Sequence, residues 1–259
     1  MIDLTLPALS QWLGAWLFPL FRLGGFFLVA PVFGMQLVPA RVRLGLALLV
    51  TVLLVPLLPA PPALDPLSPV AMLLIARELL IGVGLGFAML VFFQVFVLGA
   101  QLMAMQMSLG FASMVDPANG ISVTVLAQYF LVLLTLVFLA SNGHLAMLEV
   151  LLESFRYLPT GSAAFGAAQH WSLASSASWL FLSGLLLALP AVTALLVVNL
   201  AFGVMTRAAP QLNVFSLGFP VSMVFGLFII WASMGEFMPH FDTVSGQAFA
   251  LMRELAGVP

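Results

Sequence analysis

Residues 79–115 read LLIGVGLGFAMLVFFQVFVLGAQLMAMQMSLGFASMV. This stretch carries no charged side chain and is longer than the roughly 20 apolar residues that one helical membrane crossing needs. Glycines interrupt it, and the turn-forming pair Asp116-Pro117 follows it. Irregular backbone at membrane depth is tolerated only where protein buries it or where it lines a water-filled cavity. The stretch therefore predicts a long hairpin arm that leads into an irregular loop, an arrangement that favours a pore or conduit over an enzyme.

The composition places the whole chain in the membrane. Of its 259 residues, 63% are hydrophobic and only 6% are charged, whereas soluble domains carry about 25% charged residues. Strands of a membrane barrel would alternate apolar and polar residues in segments of about ten, and no such alternation is present. We therefore expect an all-α membrane protein that forms one polytopic unit over residues 1–259.

Several classes of site are disfavoured by residue types that are missing or dispersed. The chain has no cysteine, so disulfides, thiolate metal sites and cysteine nucleophiles are excluded. It has no lysine, and its seven scattered arginines do not form the basic patch that nucleic acid requires. The three histidines lie far apart and lack metal-ligand spacing. We expect no metal, no cofactor and no nucleic-acid partner, and the amino terminus lacks the basic residues of a cleaved signal peptide.

Charged residues and proline or glycine clusters divide the chain into six apolar blocks, approximately 12–33, 44–59, 71–105, 121–148, 177–206 and 213–238. Pro19 interrupts the first block and Pro190 the fifth, so kinked helices of uneven length are predicted. Residues 160–178 are rich in small residues and predict a loop or a weak amphipathic segment. The tail from Phe241 has helical spacing and predicts a short amphipathic helix that lies against the membrane or a partner. The arginines are distributed too evenly to settle the orientation of the blocks in the membrane.

A few charged and small side chains inside the blocks predict helix contacts. Arg22 lies well inside block one, where a charge on a lone helix costs about 2.5–3.5 kcal/mol, so we expect it to face a protein partner. The neighbours Arg77 and Glu78 point about 100° apart on a helix and are expected to pair with other helices or subunits; an interfacial anchor is the alternative. Gly82 and Gly86 form a small-xxx-small face that predicts close helix packing.

Polar amides and methionines suggest further roles. Inside the apolar blocks, the amides are expected to cross-link helices or to line a passage: Gln94, Gln101, Gln106 and Asn199.

Methionine suits apolar surfaces that must adapt, and apolar constrictions can gate a channel by dewetting. The predicted loop therefore reads as a deformable seal, with candidate residues Met105, Met107, Gly110, Phe111, Met114, Asp116, Pro117 and Gly120.

Three segments resemble the FliR family of flagellar biosynthetic proteins and its counterparts in type III secretion injectisomes. The first comprises Phe21-Arg22, Ala30-Pro31-Val32-Phe33-Gly34 and Val38-Pro39-Ala40-Arg41-Val42-Arg43. The second is the run from Arg77 to Phe87, and the third runs from Gln106 through Phe111 to Asp116-Pro117. The similarity extends over essentially the whole chain, including its length and its six hydrophobic blocks.

This resemblance implies a non-enzymatic subunit of the flagellar export gate in the bacterial inner membrane, within the basal body. The implied partners are FliP, FliQ and FlhB, and the implied cargo is unfolded flagellar subunits. The resemblance also implies a FliP-like part, approximately residues 1–150, followed by a FliQ-like part, residues 151–259. The family's plug loop corresponds to residues 106–120. Phe111 would be its closing residue, with Met105 and Met107 nearby, and Gly110 and Gly120 would be its hinges.

Two other classes of function are compatible with broken membrane helices. A small-solute secondary transporter would show two similar halves with a polar site at the membrane midplane, and neither feature is visible in the sequence. An intramembrane enzyme would need titratable groups that converge, whereas the acids and histidines are dispersed. The export-gate interpretation is therefore preferred, with the transporter as the alternative.

Overall fold

The computed structural model describes residues 6–34, 38–59, 68–110, 124–161, 166–208 and 214–258. Every regular element in these ranges is helical, so the predicted all-α class is confirmed. The helices are α1 (Leu6–Val29), α2 (Ala40–Leu54), α3 (Pro69–Gln106), α4 (Val125–Ala140), α5 (Gly143–Tyr157), α6 (Ala167–Ala208), α7 (Val214–Ser233) and α8 (Phe237–Ala256). Short 3-10 turns follow α2 at Val55–Leu57 and precede α8 at Met234–Glu236.

The described helices include five segments long and apolar enough to cross a membrane: Trp12–Val29, Ala40–Leu57, Pro69–Gln106, Ala167–Ala208 and Gly218–Ala256. A sixth crossing is possible if α4 and α5 form one broken span, since they are bent by 68° at a short break. Asn142 lies at this break in the left-handed conformation, with a φ of 58°. The apolar block 121–148 is therefore not one helix, because its Ser141-Asn142-Gly143 turn redirects the chain.

Both predicted kink sites lie inside continuous helices. Helix α1 continues through Pro19 and α6 through Pro190, and the kinks expected there stay a prediction. Residues 160–178 were predicted as a loop or a weak amphipathic segment, and their part from Ala167 onward belongs to α6, so the loop alternative is wrong there. The side-chain carbonyl of Gln169 accepts a hydrogen bond of 2.9 Å from the Gly166 amide, which is half of a capping box. This cap, followed by alanines with high helix propensity, starts the helix earlier than its apolar pattern indicates.

The chain divides into two compact units. The first comprises Met1–Val91, Ser141–Ser176 and Gln247–Pro259, and the second comprises Phe92–Ala140 and Ala177–Gly246. In the first unit, α1 packs against α2. The proposed division into a FliP-like and a FliQ-like part near residue 150 stays a prediction.

Phenylalanines from α3, α4 and α8 form the core of the second unit. The ring of Phe92 lies 6.0 Å from that of Phe138 and 5.6 Å from that of Phe241, measured between centroids. Phe96 lies 5.4 Å from Phe237. Edge-on and tilted aromatic pairs at these distances stabilise by about 0.5–1.5 kcal/mol beyond the burial of their area. This cluster makes the second half of α3 a firm base for the segment that follows it.

Candidate gate segment and its buried supports

Helix α3 ends in a Schellman motif immediately before the predicted gate loop. The Leu109 amide donates 2.9 Å to the Ala104 carbonyl, and the Ser108 amide donates 3.1 Å to the Met105 carbonyl. Ser108 adopts a left-handed φ of 63°, at the position where such motifs usually have glycine. Gly110, which we expected to act as a hinge, does not have a positive φ. The turn out of α3 therefore occurs at Ser108, two residues before Gly110.

The last residue of α3 is held by polar groups from α6 and α7. Asn199 Nδ2 donates to the Gln106 carbonyl oxygen at 3.3 Å and lies 3.4 Å from Gln106 Oε1. The Ser222 hydroxyl, itself buried, donates to Asn199 Oδ1 at 2.9 Å. Because carbonyl groups at a helix C-terminus lack intrahelical partners, the Asn199 amide satisfies one of them. Three helices are thus tied together where α3 ends.

The methionine side chains near the end of α3 lie in two different environments. Met107 is buried with 1% of its surface exposed, and Met103 is buried on the same face. Met107 packs against Gly226 of α7, where any Cβ would overlap the methionine side chain. Met105 instead is 68% exposed. In this conformation Met107 anchors the segment, and Met105 is the methionine that presents apolar surface outward.

Arg22 lies at the centre of a buried cluster in the first unit, the Arg22 cluster, formed with Glu78, Ser154, Phe155 and Leu158. Its Nε donates to Glu78 Oε2 at 2.6 Å, and both side chains are almost completely buried. Its Nη1 donates to the Ser154 carbonyl at 2.9 Å, and its Nη2 donates to the Leu158 carbonyl at 2.8 Å. The guanidinium carbon lies 4.3 Å from the centroid of the Phe155 ring. One side chain therefore joins α1, α3 and the end of α5.

The geometry of the Arg22 cluster suits arginine and no other residue. The planar guanidinium offers five N–H donors in a fixed fork, so it can serve the carboxylate and two carbonyls at once. The Leu158 carbonyl lies at the C-terminal end of α5, where the helix leaves such groups unpaired. A buried charge is tolerated when it is paired and its remaining donors are hydrogen-bonded. Arg22 meets both conditions.

Glycines on α3 allow α1 to approach its backbone. A Cβ at Gly82 would overlap the Arg22 carbonyl oxygen, and one at Gly86 would lie 3.0 Å from the Ala30 amide nitrogen and from the Phe26 carbonyl oxygen. On the α1 side, a Cβ at Gly25 would lie 2.6 Å from the Leu79 carbonyl oxygen. These glycines bring the two helices together and hold Arg22 within reach of Glu78.

Comparison with known proteins identifies the family. A family model described as "Bacterial export proteins, family 1" matches residues 13–248. The flagellar biosynthetic protein FliR of Escherichia coli K12 is 35% identical over 98% of this chain and 97% of its own length. The chain belongs to the FliR family of bacterial export proteins. FliR proteins of Pectobacterium carotovorum, at 34% identity over 95% of the chain, and of Bacillus subtilis, at 28% over 92%, agree with this assignment.

FliR-family membership confirms the resemblance on which the export-gate interpretation was based, and the apolar helices make the chain a multi-pass membrane protein. The structure places the remaining predicted residues in different environments. Arg77 and Gln101 are half-buried, while Gln94 is exposed. Five gate-loop residues lie outside the described residues: Phe111, Met114, Asp116, Pro117 and Gly120. Their part in a seal stays a prediction.

Several contacts of this FliR-family chain were missing from the sequence reasoning. Gly226 has the small residue Ser222 four positions before it. This small-xxx-small spacing indicates close helix packing and was overlooked, although it does not identify Met107 as the contact. Ser154 and Ser222 looked like ordinary helix serines, yet both are buried and hydrogen-bonded to the two clusters. In the part of the chain that the structure describes, His, Asp and Glu side chains form no group that could hold a metal ion.

Proposed function

We propose that the chain is a subunit of the flagellar type III export gate, located in the bacterial inner membrane within the basal body. It would form part of the channel wall and carry a movable apolar seal. One observation carries this proposal beyond family membership. The long apolar helix α3 ends in a hydrogen-bonded turn at Ser108, immediately before the residues that we predict to form the gate loop.

The proposed seal would be closed by side chains on either side of this turn. Met105 is exposed on the last turn of α3, and Phe111 follows Gly110 in the sequence. Closely spaced apolar side chains make a constriction that water and ions do not wet. The anchoring of Met107 and of Gln106 would keep the base fixed while the segment beyond Ser108 moves aside for cargo. The energy for movement would come from outside this chain.

The proposed partners are FliP, FliQ and FlhB, with unfolded flagellar subunits as cargo and membrane lipid around the assembly. The exposed apolar faces of the helices support a role in a larger complex. Only 17% of the residues of Ala40–Leu57 are buried within this chain, and only 22% of an apolar 18-residue stretch within Gly218–Ala256. Helices with so little burial present most of their apolar surface to lipid or to other subunits.

An ion-conductance measurement tests the seal. The assembled gate complex is incorporated in planar bilayers with either the native chain or a chain carrying Met105→Ala and Phe111→Ala. We expect a higher resting conductance for the double variant, because smaller side chains leave the constriction wide enough to wet. The matched control is Met72→Ala, since Met72 is a similarly exposed methionine near the other end of α3.

The control variant should conduct like the native complex. If the double variant conducts no more than Met72→Ala, the seal does not lie at these residues and the gating part of the proposal fails. Membership of the complex is judged separately, by whether FliP, FliQ and FlhB copurify with the native chain.

A further inference from the structure

A groove on the first unit is lined by leucines and edged by charge; we call it the Leu145 groove. It has a volume of about 520 Å³. One wall comes from the end of α2 and the turn after it, and the other wall comes from α5. The wall residues are Leu54, Leu57, Leu58, Leu145, Leu148 and Leu152. Pro59 also lines the groove, and so do three charged residues that we call its charged edge: Glu149, Glu153 and Arg156.

Helix α5 has two apolar faces. One face is buried in the first unit and includes Met147, Val150, Leu151 and Phe155. The second face presents Leu145, Leu148 and Leu152, spaced at i, i+3 and i+7, into the groove. An amphipathic helix of a protein that stands alone needs only one such face. The second face therefore requires its own explanation.

Neither lipid tails nor water suit the Leu145 groove. The edge carries two carboxylates and one guanidinium within about two helical turns, and such charges are costly against hydrocarbon. In the described part of the chain, neither Glu149 nor Glu153 forms an ion pair. The leucines are equally unsuited to water, since Leu57 is 80% exposed and Leu145 is 55% exposed. A covering protein that offers both apolar and charged groups would satisfy the two halves of the groove.

We propose that the Leu145 groove binds an amphipathic helix of a different membrane protein, with an apolar ridge against the leucines and a flanking Arg or Lys facing Glu149 and Glu153. Helix-in-groove recognition uses apolar anchors at i, i+3, i+4 and i+7. Helix α5 has 15 residues and is thus about 22 Å long, enough to contact four turns of a partner. The inference concerns an interaction surface and does not depend on where the gate is sealed.

The charge of the groove favours a different protein over a second copy of this chain. The edge has two acids and one base, so two copies meeting through this face would bring four carboxylates against two guanidiniums. Like charges brought together at an interface cost free energy and suppress the wrong partner. A helix with an excess of basic residues would neutralise the edge instead.

The test uses a photo-reactive amino acid at position 148 of the full chain in its native membrane assembly. After irradiation, the cross-linked peptide is identified by mass spectrometry. We expect the adduct to map to one helix of another protein that carries an Arg or Lys within one turn of the linked apolar residue. The control carries the same probe at Leu196, which is 55% exposed on α6 and has no charged edge nearby in sequence.

A second measurement examines the role of charge in the same contact. Glu149→Gln combined with Glu153→Gln should lower the yield of the position-148 adduct several-fold, whereas Arg156→Gln should not lower it. Because the substituted side chains lie at an accessible edge, the neutralised chain should unfold at the same denaturant concentration as the native chain, which separates lost binding from lost folding. Adducts with lipid alone or with a second copy would overturn the proposal. The proposal would also be overturned if the adduct yield at position 148 were no greater than the yield at position 196. The same holds if Glu149→Gln with Glu153→Gln left the yield at position 148 unchanged.

Discussion

Replacing Arg22 by methionine is the most informative perturbation of this fold. Methionine preserves much of the apolar volume but removes the charge and every donor of the guanidinium. The buried Glu78 then loses its ion pair, and the Leu158 carbonyl loses the donor at 2.8 Å. Breaking a buried pair by removing one partner costs about 3–5 kcal/mol. An unpaired buried carbonyl adds about 1–3 kcal/mol, so we expect a total loss of about 4–8 kcal/mol.

The matched control and two companion variants separate charge from volume. Leu28→Met changes an exposed residue of the same helix and should have little effect. Arg22→Lys keeps a charge but not the planar fork, so it should cost less than Arg22→Met and more than the control. The double variant Arg22→Met with Glu78→Met removes both charges, and replacing a whole buried pair by apolar groups is often neutral. It should recover most of the loss, except for the part that belongs to Leu158.

The assay is unfolding of the purified chain in detergent, followed by circular dichroism as a denaturing detergent is added. The yield of assembled complex is measured alongside, and we expect Arg22→Met and Glu78→Ala to lower assembly more than they alter transport by complexes that do assemble. If Arg22→Met unfolds at the same point as Leu28→Met, the Arg22 cluster does not stabilise the first unit.

Three further substitutions test close contacts, each by the same unfolding measurement. Gly82→Ala should destabilise the fold by about 1–3 kcal/mol or more, because the added Cβ overlaps backbone atoms. The control Gly24→Ala adds a Cβ with nothing within 4 Å, so it should stabilise the fold by up to about 1 kcal/mol through helix propensity. Equal effects of the two substitutions would contradict close packing at Gly82. Ser108→Gly should stabilise by about 0.5–1 kcal/mol, since relief of the left-handed strain exceeds the added freedom of the unfolded chain; a loss of stability would argue against the Schellman turn. Gly226→Ala should lower the free energy of unfolding, and adding Met107→Ala to the same chain should restore part of it. If the loss in the double variant equals the sum of the losses in the two single variants, these residues do not touch.

The sequence predicts the apolar helices well because long unbroken hydrophobic blocks have few alternative structures in a membrane. The block at 71–105 corresponds to α3, which spans Pro69–Gln106. Helix α8 likewise contains the predicted stripe, and Phe241, Val244 and Leu255 are buried. The stripe packs inside the chain, where the rings of Phe241 and Phe92 meet, so its predicted place against the membrane or a partner was wrong. The prediction for the tail was too short because Phe237 continues the same face one turn earlier, beyond the 3-10 turn.

Contacts between distant parts of the chain were harder to predict. A charge inside block one implied that Arg22 needs a partner, but the periodicity of one helix does not reveal that the partners lie 56 and 132 residues away. Gly82 and Gly86 were predictable as a packing face because their spacing repeats. The amide of Asn199 was expected to line a passage or to cross-link helices, whereas its bond to the end of α3 required the relative placement of three helices.

The Arg22 cluster also has a consequence for how the chain is made. During synthesis, Arg22 enters the membrane 56 residues before Glu78 and 132 residues before Ser154. At translation rates of about 5–20 residues per second, the carboxylate follows after about 3–11 s. During that interval α1 contains the Arg22 guanidinium, while its ion-pair partner Glu78 has not yet been synthesised. The insertion machinery, or water at the bilayer surface, must therefore shelter the nascent α1 until α3 emerges.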